Sequence, residues 1–131
     1  MPPAEKRRKL SPAIAQASAD ASLANSRVEV LQQAGSKVRT FRSADKLAIA
    51  CKNENFDLLL VGHSLEGVER EQICAAFRTY NPGAPILQLH VATTTPTTAD
   101  YALEVGQGPE ALLQMLDEIL DGWNRDRKFG G

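Results

Sequence analysis

Apolar residues along this chain fall into two kinds of run: short continuous stretches, and longer ones in which they recur every three or four positions. Leu58-Leu59-Leu60-Val61, introduced by Phe56 and Asp57, is the clearest of the first kind. A strand apolar on both faces needs cover on both, so this segment predicts a central parallel strand over 57–61. Pro85-Ile86-Leu87-Gln88-Leu89-His90 predicts another strand, Lys37 to Phe41 a shorter one, residues 12–17 a first, and Ala102 to Val105 a fifth.

Helical periodicity fills the intervals. Leu23, Arg27, Val30, Leu31 and Ala34 share one face of a helix that Asp20 caps and Gly35 stops. Ser43 is placed to cap a second helix carrying Leu47, Ala50 and Cys51. A third begins between Gly67 and Glu69, offers Ile73, Ala76, Phe77 and Tyr80 to the core, and ends in the turn Asn81-Pro82-Gly83. After a bend at Gly106-Gln107-Gly108, Pro109 and Glu110 open a last helix that packs through Leu112, Leu116, Ile119 and Trp123. Strands alternating with helices of these lengths imply right-handed crossovers and an α/β three-layer sandwich around one parallel sheet.

Composition adds bounds. A chain of 131 residues suits one domain with a continuous core. Its net charge of −1 conceals an asymmetry: Lys6, Arg7, Arg8 and Lys9 precede, and Arg125, Arg127 and Lys128 follow, a body (10–124) with 8 basic and 14 acidic side chains. Residues 1–11 therefore read as a disordered basic arm, 12–124 as the domain and 125–131 as a flexible tail. The arm is the one nucleic-acid candidate; it lacks a recognition motif, and the acidic body opposes phosphate contact. No long apolar stretch follows the basic residues, which argues against a signal peptide or a membrane span and for a cytoplasmic protein. Cys51 and Cys74 are expected as buried reduced thiols. With His63 and His90 they lack zinc-site spacing, so neither a metal nor another cofactor is expected.

Four landmarks, Leu31-Gln32-Gln33-Ala34-Gly35, Phe56-Asp57-Leu58-Leu59-Leu60-Val61, Pro85-Ile86-Leu87-Gln88-Leu89 and Pro109-Glu110-Ala111-Leu112-Leu113, occur in an order and spacing that carry a resemblance. From about residue 12 to residue 121 the chain resembles a response-regulator receiver domain, and more closely the divergent stand-alone receiver-like proteins. The resemblance implies a flavodoxin-like five-stranded sheet in the order 2-1-3-4-5. It also implies a site. An active receiver has paired acidic residues after the first strand for a divalent cation and a phosphoacceptor aspartate ending the third. A small hydroxylated residue ends its fourth strand and a lysine its fifth.

Those positions match Ser18 and Ala19, then Gly62, His90 and Val105, with Asp20 one place beyond the acidic pair. A hard cation needs oxygen ligands that Ala19 and Gly62 lack. Val105 cannot make the charge-assisted hydrogen bond of a lysine to a phosphoryl oxygen. The resemblance thus implies a pseudo-receiver that has lost its phosphorelay chemistry. Thr93-Thr94-Thr95-Pro96-Thr97-Thr98 disfavours a helix, so a loop is expected in place of a receiver's fourth helix.

The expected function is a phosphorylation-independent signalling or protein-interaction module, not an enzyme. Its partner would be an unidentified signalling protein or a second copy of the chain, met through Thr94, Thr95, Thr97 and Trp123. Two readings stay open beside it. Asp20, His63 and His90 form a residual polar set for histidine-dependent phosphotransfer or hydrolysis, and the basic arm is the candidate for nucleic-acid binding.

Overall fold

Five parallel strands, β1 (Ala13–Ala17), β2 (Lys37–Phe41), β3 (Leu58–Val61), β4 (Ile86–His90) and β5 (Tyr101–Glu104), form one sheet in the order β2-β1-β3-β4-β5. This is the strand order implied by the receiver resemblance. The structure, a computed structural model, describes residues 11–65, 67–91 and 99–130, with backbone alone for 122–130. Among the described residues the helices are α1 (Ala21–Gln33), α2 (Ala44–Asn53), α3 (Gly67–Tyr80) and α4 (Gly108–Gly130).

Strand alternation sorts the core into two layers. Ala15, Ala17, Leu59, Val61 and Ile86 point toward Leu47 and Cys51 of α2 and Ile73, Cys74 and Phe77 of α3. Ile14, Leu58, Leu60, Leu87, Leu89 and Leu103 face Leu31 of α1 and Leu112, Leu116, Ile119 and Leu120 of α4. Leu58, Leu59, Leu60 and Val61 are fully buried, which is why β3 reads as an unbroken apolar run and not as an alternating one.

Local chemistry fixes the helix ends as expected. Asp20 Oδ1 accepts from Leu23 N at 3.0 Å, and Ser43 Oγ accepts from Lys46 N at 3.3 Å. Behind α1, Gly35 at φ +97° lets its own N–H reach Gln32 O and that of Ser36 reach Leu31 O, each at 3.0 Å, which closes the helix.

At the opposite edge, carboxylates hold the strand starts. Asp57 Oδ2 accepts from Ala13 N at 2.8 Å, and Asp100 Oδ2 accepts from Ile86 N at 2.9 Å. Each removes an amide that would otherwise lack a partner at the start of its strand.

Several expectations change. Tyr80, offered to the core, and Leu23, placed on the apolar face of α1, are each 38% exposed. Leu23 sits in the first turn of α1, at the rim of the sheet, and Tyr80 in the last turn of α3; Cys74 fills the core instead. β5 closes at Glu104, paired with His90, so Val105 opens a short 3-10 turn (Val105–Gln107) where a strand end was expected. The bend before α4 is made by Gly108 at φ +89°. No proline interrupts the chain after Pro109, and the α4 backbone is helical to Gly130. The basic arm, the loop expected over 92–98 with Thr94, Thr95 and Thr97, and the Trp123 side chain lie outside the described residues.

Candidate functional site

In an open parallel sheet, ligands and reacting groups collect beyond the carboxyl ends of the strands. Here that edge brings together Ser18, Ala19 and Asp20 after β1, Gly62, His63 and Ser64 after β3, His90 at the end of β4, and Glu104 and Val105 after β5.

Hydroxyls tie the first two loops. Ser18, buried, donates from Oγ to Asp20 O at 3.1 Å and accepts from Asp20 N at 3.2 Å. Ser64 Oγ accepts from Ala19 N at 3.2 Å and lies 3.4 Å from Ser18 Oγ, where its own proton is the one left to share. Asp20 spends its carboxylate on the α1 cap. The only acidic residue of the first loop is thus committed to holding a helix start.

The decisive residue is Arg27, which stands among apolar positions of α1. Its half-buried guanidinium reaches over β1 and β3: Nη1 donates to Gln16 Oε1 at 3.4 Å, and Nη2 lies 3.5 Å from His63 Nδ1. A Cβ placed on Gly62 would stand 2.9 Å from Arg27 Nη1, 3.2 Å from Ala17 O and 3.4 Å from Ser18 Oγ. The flexible arginine tip, with Ala17 O and Ser18 Oγ, borders the room a side chain at position 62 would take. Burial pushes the Arg27 pKa down, with Asp20 opposing the shift. The group remains a cation, as arginine does in proteins. A second arginine, Arg42, donates from Nη2 to Ala19 O at 3.2 Å. Two guanidiniums therefore attend the ends of β1 and β3.

Gln16 explains how Arg27 is held. Fully buried, it donates from Nε2 to Ala24 O at 3.2 Å and to Thr40 Oγ1 at 3.1 Å, which turns Oε1 toward the guanidinium. An arginine only donates, so in this contact His63 Nδ1 can serve only as the acceptor. His90 Nδ1 donates to Val91 O at 2.8 Å, a local contact within its own turn. Of the expected polar set, Asp20 caps α1, His63 faces Arg27 and His90 binds its neighbour's carbonyl.

His63 and Arg27 open onto a groove of about 440 Å³ between α1 and α4, walled by Leu23, Val30, Leu89, Leu103 and Leu112. Cys51 and Cys74 lie buried on the opposite face of the sheet, so they do not converge with the histidines. Burial raises the Cys51 thiol pKa, with a hydrogen bond from Asn81 opposing the shift. Among the described residues no three His, Cys, Asp or Glu side chains converge as metal ligands.

Sequence reasoning placed Arg27 on an apolar helix face without assigning it a role. A single cation between Leu23 and Val30 was the available signal. Its target, Gly62, is visible only in three dimensions.

No protein-family model and no curated protein matches this chain. Solved structures do. A CheY-like response-regulator receiver domain protein from Methanospirillum hungatei JF-1 superposes with a TM-score of 0.76 at 19% identity over 88% of this chain and 98% of its own. The chemotaxis response regulator CheY4 of Vibrio cholerae gives 0.72 at 20% over 84% and 99%. The receiver domain of a Pseudomonas aeruginosa PAO1 sensor histidine kinase, solved with a magnesium ion coordinated in its active site cleft, gives 0.71 at 12% over 84% and 98%. The chain has the receiver fold, with an arginine over the third-strand position.

Proposed function

We propose that this chain is a receiver-like signalling module that works without phosphorylation, by binding another protein. The observation that carries the reading is Arg27 Nη1, 2.9 Å from where a Cβ on Gly62 would stand. A phosphoacceptor needs a carboxylate there and a divalent cation beside it. Glycine at position 62 offers no side-chain oxygen, and Ser18 and Ala19 supply no charge to a hard cation. A guanidinium in the same volume repels such a cation. At the response end, His90 is engaged with Val91 O, and Val105 has no cationic donor.

Without a group to modify, output rests on a surface. Val91 and Tyr101, 37% and 46% exposed, flank the segment that contains Thr94, Thr95 and Thr97, and they extend the candidate contact surface along β5. The partner is a cytoplasmic signalling protein or a second copy of the chain, and the module itself turns over no substrate. No described helix is long and apolar enough to cross a membrane.

Two measurements test this. Incubation with Mg²⁺ and acetyl phosphate should leave the intact mass unchanged; a stable, Mg²⁺-dependent phosphoryl adduct would reverse the reading. Affinity capture with the wild-type chain and a Tyr101→Glu variant, followed by calorimetry with the purified captured protein, should give a direct partner whose binding the variant weakens at least tenfold. Catalytic turnover without any direct partner or self-association would reject the reading.

A further inference from the structure

The groove between α1 and α4 has a composition that the interaction reading leaves unexplained. It lies beyond the carboxyl ends of β3, β4 and β5, and its volume of about 440 Å³ is within the range of small-molecule sites, roughly 300–1,000 Å³. Its walls are apolar, from Leu23 and Val30 on α1, Leu89 and Leu103 on the sheet, and Leu112 on α4. Its polar lining includes Arg27 and His63, which lie 3.5 Å apart.

Arg27 is a half-buried cation with five N–H donors. Two contacts engage it, at 3.4 and 3.5 Å, both at the long limit for a hydrogen bond, and among the described residues no carboxylate pairs with it. With Nδ1 turned to the guanidinium, His63 has its Nε2–H left to donate, and no described residue accepts it. Glu104 also lines the groove, its Oε1 turned toward Gly106, 2.8 Å from where a Cβ there would stand. Asp20 acts on Arg27 electrostatically but spends its carboxylate on the α1 cap, so the donors lack a carboxylate within salt-bridge distance among the described residues.

We propose that this groove binds a small amphipathic carboxylate, its chain between α1 and α4 and its carboxylate on Arg27, with His63 Nε2–H as a second donor. An arginine fork fits two carboxylate oxygens, and low dielectric in an apolar slot strengthens that pairing. The site is independent of the partner-binding reading, since a purified chain binds such a ligand with no other protein present.

The test uses octanoate on the whole chain, followed by calorimetry and by amide chemical shifts. Octanoate should bind with a submillimolar Kd and shift the amides of Leu23, Arg27, His63 and Leu103. Octanol, which lacks the charge, and acetate, which lacks the chain, should each bind at least tenfold more weakly. Arg27→Met should weaken octanoate at least tenfold and leave octanol unchanged. Because Arg27 also contacts buried Gln16, Leu23→Glu is the second variant: Leu23 is partly exposed at the rim, so the fold is kept while the new charge repels octanoate tenfold or more. Octanoate binding no tighter than octanol, insensitivity to both variants, or no binding at about 10 mM, tenfold above a Kd of about 1 mM, would overturn the proposal.

Discussion

The guanidinium of Arg27 occupies the space over Gly62: its Nη1 lies 2.9 Å from the point a Cβ would take. The two residues belong to different elements and exclude each other's growth. The guanidinium is the end of a flexible side chain that can shift, so Gly62→Ala should cost no more than about 1 kcal/mol, the low end for overpacking, and less in an Arg27→Ala background. A double-mutant cycle read by urea unfolding should give a coupling of up to about 1 kcal/mol. Additive effects would mean that the arginine is not what closes position 62.

Asp57 is a structural carboxylate at the opposite edge of the sheet. Its Oδ2 accepts from Ala13 N at 2.8 Å, and its own amide donates to Ala13 O at 2.7 Å, joining β1 to the start of β3. Asp57→Ala should destabilise by about 1–3 kcal/mol, the cost of stranding a buried amide. Asp57→Asn, which keeps an acceptor oxygen, should lose less. Equal losses in chemical denaturation would point to the carboxylate's charge and not to the neutral acceptor or the packing.

Gln88 is 4% exposed on β4, and its Oε1 has no partner among the described residues. Gln88→Met preserves the length of the side chain and removes the stranded acceptor. A gain of about 1 kcal/mol is expected from the relief of that desolvation, read as a higher urea midpoint at unchanged slope.

Burial raises the Cys51 pKa, so the folded chain holds the thiol proton more tightly than the unfolded chain does. The contribution is intact below the unfolded thiol value, about 8.5, and declines as pH rises through it toward the folded value. Measured against Cys51→Ala, the wild-type stability should fall between pH 8 and pH 10, above and below that ordinary value. A difference that is constant or rises with pH would contradict the sign.

Much of the fold was legible along the chain because its determinants are local. The Asp20 and Ser43 caps, the stop at Gly35 and the buried run at Leu58–Val61 depend on a residue and neighbours a few positions away, so spacing alone exposes them. The missing carboxylates at Ser18, Ala19 and Gly62 were visible in the same way, as identities at positions the receiver resemblance marks. Tertiary structure decided what fills the emptied site. Arg27 meets Gly62 because β1 and β3 are adjacent in the sheet and α1 crosses above them, and its neighbour His63 is 36 residues away in sequence. The groove is likewise built from α1, the ends of three strands and α4. Leu23 and Tyr80 show the same limit from the other side: helical periodicity sets the direction of a side chain, but only the extent of the sheet beneath sets whether anything covers it.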